Sequence, residues 1–389
     1  MFADVAGAGT YGRFEYRDIS VGLHSDEADM LDRFGRYFGG YFTVTTGDQA
    51  DATVYSSQDP AVFQRLKEWA TSGGRARSDD ETEYAVDEQH RIIYRREIDE
   101  VKGRMGEACF ALSQADRKVL VSSPGTVRDR QKTVKRSLRN MMKLLLIEKG
   151  WLPFHSAACI WNGTGICILG NKFAGKTSTL VNLLAQPGAR FVSNDNLFVR
   201  DGGTHLEGCG FPNNAGLRIG TLAAHSGLAD RVARATDSFH PRIDAATFRD
   251  ILATRPVDEL RSSPEKIVLL STELAECLGV PIEHVTAIEL FLVVQFDPEL
   301  EESRLAPVTD PQQLREYLAA NFRSLSKEKL DFLQSFFDFD DNTLSAAFDV
   351  LLEKFASRVA VQELFQNANT NQHSAELVGR LTQQIHQHA

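Results

Sequence analysis

The segment Gly170-Asn171-Lys172-Phe173-Ala174-Gly175-Lys176-Thr177 is where residue type and spacing point most directly to chemistry. It matches G-x-x-x-x-G-K-[ST], the phosphate-binding loop. The two glycines let the backbone close around a phosphate with torsions that a side chain would oppose. The loop N–H groups and the start of the next helix supply partial positive charge. Lys176 is expected to reach the β- and γ-phosphates of a nucleoside triphosphate, and the Thr177 hydroxyl to bind Mg²⁺. A chance match somewhere in a chain of this length has a probability of roughly one in a hundred. The flanks lower it further: Gly165–Leu169 is an apolar run of strand length, and Ser178–Leu184 reads as a helix.

Asp195 follows 19 residues after Lys176. Phe191 and Val192 read as a strand that ends at Ser193-Asn194-Asp195. A carboxylate at such a strand end, beside the loop, is placed to hold Mg²⁺ directly or through water, where open α/β sheets bind ligands. Otherwise it is a solvated aspartate in a turn. Upstream, the segment from Trp151 to Trp161 leads through Asn162-Gly163, a hairpin signal, into the strand before the loop. His155 is expected beside that loop, and a satisfied core histidine fits it as well as a role near the phosphates. Arg218 ends the polar loop 211–218. It is either a bidentate clamp for phosphate or carboxylate or a plain surface arginine. His240-Pro241-Arg242 is a second basic spot of the same kind.

His155-Ser156-Ala157-Ala158, the Asn162-Gly163 hairpin, the loop, the helix and Gly188-Ala189-Arg190-Phe191-Val192-Ser193-Asn194-Asp195, in this order, resemble the HPr kinase/phosphorylase superfamily. Within it the chain looks most like HPr kinase-related proteins of unassigned substrate. The likeness is strong over about 151–200 and extends to about 325. Phosphoenolpyruvate carboxykinases share the short loop-to-acid spacing. The resemblance implies a nucleotide-dependent phosphotransferase, a kinase with ATP or GTP as donor and Mg²⁺ as cofactor. By it, Gly170, Asn171, Lys172, Phe173, Ala174, Gly175, Lys176, Thr177 and Ser178 bind the triphosphate, and Thr177 and Asp195 serve the metal. His155 matches the histidine that partners the catalytic aspartate.

Asn194 departs from the pattern. It stands where HPr kinases carry the first of two consecutive aspartates, the general base. An amide cannot take a proton at neutral pH. The HPr-binding signature is also missing downstream, where LEGCGFPNNAGLRIGTL stands. The expected acceptor is therefore an unidentified protein or small molecule other than HPr. Three explanations of Asn194 stay open. Asp195 does the base work with His155; or the acceptor is a carboxylate and needs no base; or the chain is a non-catalytic nucleotide-binding regulatory or assembly protein. Related kinases oligomerise, so a homo-oligomer also stays open.

These residues need elements to position them, and the pattern predicts an α/β chain. A P-loop domain of HPr kinase type is expected over 126–325, after an N-terminal α+β domain over 1–125. A helical C-terminal extension with a flexible, Gln/Asn/His-rich tail is expected over 326–389. In the first segment, FEYRDISVGL reads as one strand, and Met30, Phe34 and Phe38 form a helical stripe. DPAVFQRLKEWATSGG is a capped helix. In TVRDRQKTVKRSLRNMMKLLLIEKG, read as a long helix over 126–150, Val134, Leu138, Met141 and Leu145 form the apolar stripe. Lys132, Lys135, Arg136, Arg139 and Lys143 are read as its solvated face rather than a nucleic-acid surface. NTLSAAFDVLLEKFASRVAVQELF reads as helix throughout.

Composition bounds the rest. The 389 residues carry 43 Lys+Arg against 53 Asp+Glu, and 42% are hydrophobic. These are ordinary globular values and exclude a disordered, collagen-like or disulfide-scaffold chain. A net charge of −10 argues against a dedicated nucleic-acid binder. The five cysteines lack C-x-x-C spacing and read as buried free thiols in a reducing compartment. No secretory signal or membrane-length apolar run is seen, so a cytoplasmic protein without a membrane partner is expected.

Overall fold

The computed structural model describes all residues except 1, 3–8, 48, 74, 80–81, 88–91, 100–103, 226, 235–244, 257–258, 261–262, 264, 326–335, 368–369 and 389. The basic spot His240-Pro241-Arg242 lies outside the described residues. The chain is a mixed α/β protein of two compact units, 1–149 with 329–340, and 150–328 with 341–389. The long helix therefore belongs to the first unit, and the C-terminal segment divides, with 329–340 in the first and 341–389 in the second.

In the first unit the chain runs β1 (Thr10–Tyr16), β2 (Ile19–Ser25), α1 (Met30–Phe38), β3 (Thr43–Thr45), β4 (Ala52–Ser57), α2 (Pro60–Gly73), β5 (Arg75–Asp79), β6 (Thr82–Asp87), β7 (Ile92–Asp99), β8 (Arg104–Ser113), β9 (Lys118–Ser122) and α3 (Val127–Glu148). The described strands form one sheet in the order β3-β1-β2-β4-β9-β8-β7-β6-β5. Within it, β2, β4 and β9 are parallel neighbours. FEYRDISVGL, expected as one strand, is a hairpin: Tyr16 pairs with Ile19 across a turn at Arg17 and Asp18, and Arg17 takes φ 53°. Arg-Asp is not a turn signature, so the alternation hid the reversal. The α1 stripe of Met30, Phe34 and Phe38 is fully buried.

Helix α3 starts on a Thr126 cap whose side chain accepts from the Asp129 N–H. Its apolar stripe is buried as expected, but its basic face is not all solvated. Lys135 and Lys143 are both buried, and the Lys135 ammonium lies 4.7 Å from the Tyr37 ring centroid. Their positions flank the apolar stripe, so the stems are drawn into the packing along with it. Burial, together with the Arg139, Lys132 and Arg136 charges, pulls the Lys135 pKa down to about 7. An unfolded lysine titrates near about 10.4. Between these values the unfolded chain binds more protons, so stability rises with pH across that window. Below it the buried ammonium is charged and its full desolvation cost is present. Lys135→Met is expected to raise stability at pH 6 and to flatten the rise from pH 7 to 10. Urea unfolding of the full chain across that range checks this; an unchanged slope would contradict it.

The second unit runs β10 (Leu152–Phe154), β11 (Ala157–Trp161), β12 (Thr164–Leu169), α4 (Lys176–Leu184), β13 (Arg190–Ser193), β14 (Leu197–Asp201), β15 (Leu206–Gly210), β16 (Asn214–Arg218), α5 (Ile219–Ala223), α6 (Leu228–Arg234), α7 (Ala245–Thr254), β17 (Lys266–Leu270), α8 (Ser271–Leu278), β18 (Val285–Ile288), β19 (Leu290–Phe296), β20 (Arg304–Pro307), α9 (Pro311–Asn321), α10 (Asp341–Arg358), β21 (Ala360–Gln366) and α11 (Ser374–His388). Its six-stranded sheet has the order β13-β11-β12-β19-β21-β20, with β12, β19 and β21 parallel. The β11–β12 hairpin turns at Asn162-Gly163, both at positive φ (52° and 80°). That is the two-residue turn whose twist suits paired strands.

Two expectations fail at the C-terminus. VAVQELF does not continue the helix: α10 stops at Arg358, and 360–366 form β21 between β19 and β20. Pairing with the parallel β19 outweighs local helix preference. The polar tail is also not a loose end. Helix α11 buries Ala375, Val378 and Thr382, and its Gly379 leaves room for the Trp161 ring, which a Cβ would meet at 2.7 Å. The Asn162 amide donates to the Thr382 hydroxyl at 3.2 Å. Of the three tail histidines, His386 lies within hydrogen-bond distance of Thr164 and of the Asn162 carbonyl.

All five cysteines are buried free thiols. Burial pushes Cys109, Cys159 and Cys167 up to about 12, which makes them poor nucleophiles. Among the described residues, no helix is long and apolar enough to cross a membrane.

Candidate functional site

The parallel strands β12 and β19 end at Leu169 and Phe296, and β21 ends at Gln366. Strand β13 runs the same way, since it and β12 both pair antiparallel to β11. Past these carboxyl ends lies a cavity of about 550 Å³. The whole loop from Gly170 to Ser178 lines it, together with His155 and Asp195.

Sequence dictates the loop's path. Gly170 comes so close to β19 that a Cβ there would sit 2.8 Å from the Val294 carbonyl oxygen. Gly175 takes φ 106°, and a Cβ on it would lie 2.6 Å from the Gln366 side-chain nitrogen. A side chain at 170 would have to displace the β19 backbone, and at 175 the left-handed backbone itself disfavours any residue but glycine. Helix α4 starts at Lys176. Phe173 takes φ 73° and is 61% exposed. Its ring is flanked by the Lys172 ammonium at 5.0 Å and the Arg218 guanidinium at 4.8 Å, a cation–π arrangement that holds both charges at the loop.

Lys176 is buried, and its ammonium donates to the Gly170 carbonyl at 2.6 Å. Burial lowers its pKa; Asp195 opposes that shift and Arg323 adds to it. Asp195 sits at φ 68°, a left-handed conformation that aspartate tolerates better than most residues. The turn is held by the Ser193 hydroxyl, which donates to the Asn196 carbonyl. His155 is fixed from both sides. Its main-chain N–H donates to the Asn321 main-chain carbonyl at 2.7 Å, and its ring Nδ1 lies 3.2 Å from the Asp195 main-chain oxygen. A carbonyl only accepts, so Nδ1 carries the proton of the neutral ring and Nε2 is the acceptor. Burial keeps the imidazole below its ordinary pKa, the Lys176 and Arg323 charges add to this, and Asp195 opposes it.

An aromatic cluster carries this arrangement. Phe154 bridges antiparallel to Phe322. Their rings are 6.0 Å apart, and both pack on Phe348. The neighbours in sequence, His155 and Arg323, thereby line the cavity.

Asn194 is the exception among the expected residues. It is fully buried and does not line the cavity. Its amide nitrogen donates to Asp195 Oδ2 at 3.3 Å, so it positions the next carboxylate rather than facing a ligand. Arg218 does line the cavity, as the last residue of β16 rather than part of a polar loop. Lys266, Arg323, Asn321 and Gln366 line it without having been expected. Gln366 donates to the Thr179 hydroxyl at 2.8 Å and so ties the end of β21 to α4. No local motif marks these four; only the fold brings them together.

The donor set suits Mg²⁺ and not a protein-only metal cage. Thr177 and Asp195, whose side chains carry hard oxygens, both line the cavity, and Mg²⁺ is ordinarily held by one or two such groups plus phosphate oxygens and water. Among the described residues no group of three His, Cys, Asp or Glu could hold a metal by itself.

The chain matches no known family profile and no curated protein. Among solved structures one match is the HPr(Ser) kinase/phosphatase from Coxiella burnetii. It is 11% identical, with 60% of this chain and 98% of that one covered, and a TM-score of 0.28. At that score the likeness decides nothing about this chain.

Proposed function

We propose that this protein is a nucleotide-dependent phosphotransferase, with ATP or GTP as donor and Mg²⁺ as cofactor. The observation that carries the reading is the meeting of Gly170–Ser178, Lys176, Asp195 and His155 around one cavity at the carboxyl ends of parallel strands. The loop amides and Lys176 hold the triphosphate, and Thr177 and Asp195 hold the metal. Bound Mg²⁺ supplies charge neutralisation at the transferred phosphoryl group. Such transfer depends mainly on positioning and charge stabilisation, so the buried Asn194 amide does not forbid it. His155, neutral and with Nε2 as acceptor, can take a proton from a hydroxyl acceptor, with Asp195 beside it.

Incubation with Mg²⁺ and γ-labelled ATP or GTP, in a mixture of soluble proteins and metabolites, tests this reading. Label is expected in an acceptor with the wild type and not with Lys176→Ala. Tight nucleotide binding without any transfer would instead support a regulatory or assembly protein. That second reading draws on Asn194 alone.

A further inference from the structure

The cavity has two ends of different character. Asp195 follows β13, while β19 and β21 stand three and four strands further across the sheet. Neighbouring strands lie about 4.8 Å apart, so roughly 14–19 Å separate the two ends. At the far end Phe296, Gln366, Asn367 and Asn371 line the wall, and none of them carries a charge. Such a wall suits a neutral, flat ligand with hydrogen-bonding edges better than it suits phosphate.

The strands set this up. Phe296 and Gln366 are register partners in the parallel β19–β21 pair, so their side chains share one face of the sheet. Val294, two residues earlier, is on that face too, and a Cβ on Gly175 would meet its Cγ1 at 3.8 Å. The face is therefore the one beneath the phosphate loop. Val294 is fully buried, but Phe296, the last residue of β19, is 54% exposed. The other exposed aromatic of the cavity, Phe173, has its ring flanked by two cations. Phe296 has no such neighbour among the described residues. Beside it, Gln366 is 2% exposed, and its Oε1 has no hydrogen-bond partner. Thr179 takes the Nε2. Turning the amide over exchanges the two atoms and still leaves one of them over. An unpaired buried polar atom costs stability, and a ligand edge at this wall would satisfy it.

We propose that this end is the nucleobase subsite: the base stacks on the Phe296 ring, and its polar edge pairs with the unpartnered amide atom of Gln366. The proposal rests on the phosphotransferase reading, which supplies the nucleotide. With the triphosphate in the loop and its γ end toward Asp195, the ribose and base run the other way, to β19 and β21. An aromatic face accepts any base, so Phe296 sets affinity. Adenine and guanine offer an amide different donors and acceptors, so Gln366 sets the preference between ATP and GTP.

The test titrates the full chain, with Mg²⁺ present, with ATP, GTP and inorganic tripolyphosphate, which carries the phosphates without a base. The wild type is expected to bind its preferred nucleotide at least about ten-fold more tightly than tripolyphosphate. Phe296→Ala should lower nucleotide affinity by about ten- to a hundred-fold and leave tripolyphosphate within about three-fold. Its melting temperature should hold, because the ring is exposed. Phe296→Tyr keeps an aromatic face and should keep the preference for nucleotide. Gln366→Leu also loses the Thr179 bond, so it is read as the ratio of ATP to GTP affinity, which should move by at least about three-fold. Three results would overturn the proposal: a wild type that binds tripolyphosphate as tightly as either nucleotide, a Phe296→Ala protein with unchanged nucleotide affinity, or one that loses tripolyphosphate by the same factor. A fixed ATP-to-GTP ratio in Gln366→Leu would overturn the part given to that residue. A folded wild type that binds none of the three would instead refute the phosphotransferase reading beneath it.

Discussion

Lys176→Ala is expected to lower phosphoryl transfer on the order of 10³-fold, the scale on which one positioned charge at the transferred group acts. Nucleotide affinity should fall as well, by about ten- to a hundred-fold, as loss of a charge-assisted hydrogen bond implies. The structure gives these effects a specific cause. The ammonium is buried, with its pKa lowered, and it donates to the carbonyl of the loop's own first residue. A carbonyl compensates a buried cation less well than a phosphate does, so the charge is kept ready for an anion. Removing it should not weaken the fold, because an ammonium that burial disfavours is lost with it. The melting temperature of the apoprotein is therefore expected to hold or rise while activity collapses. Lys176→Met, which keeps the stem, should behave in the same way. A lysine present only to pack would give the reverse: a less stable protein with unchanged nucleotide binding.

Asp195→Asn isolates the second charge. Asp195 lies at φ 68°, and asparagine tolerates that left-handed region as well as aspartate does. The backbone is thus left in place, and the side chain keeps its size. A metal ion contributes several kcal/mol to charge stabilisation in such transfers. On the proposed phosphotransferase reading, in which Asp195 holds the metal, the substitution is therefore expected to cost on the order of 10²- to 10³-fold in rate, at about 1.4 kcal/mol per ten-fold. The diagnostic feature is the metal dependence. Nucleotide binding without Mg²⁺ should be little changed or tighter, since a carboxylate near the phosphates is gone. The added affinity that Mg²⁺ supplies should disappear. Titrating Mg²⁺ against activity and against nucleotide affinity checks both. A variant with wild-type Mg²⁺ dependence would show Asp195 to be a turn residue and nothing more.

The loop could be read from the chain because its eight residues are contiguous and each type has a local reason, such as the glycines at 170 and 175. The Asn162-Gly163 turn and the α1 stripe were legible on the same ground. The cations were not. Lys266 and Arg323 stand far along the chain from Lys176, and only strand pairing and the Phe154–Phe322 contact bring them to the cavity. Asn194 was legible as an oddity, yet its burial behind Asp195 depends on the turn after β13, held by Ser193 and Asn196, and could not be seen. The C-terminal segment misled in both directions. AVQELFQ has fair helix formers but forms a strand between β19 and β20, parallel to the first and antiparallel to the second. The polar composition of the tail hid a sparse stripe of Ala375, Val378 and Thr382, sufficient to dock a helix.

Titration calorimetry of the purified full chain with ATP and with GTP, in the presence and absence of Mg²⁺, tests the central claim most directly. One nucleotide per chain is expected to bind, more tightly with Mg²⁺ than without, and the Lys176→Ala protein is expected to lose most of that affinity. A stable, folded wild-type protein that binds neither nucleotide under either condition would contradict the account.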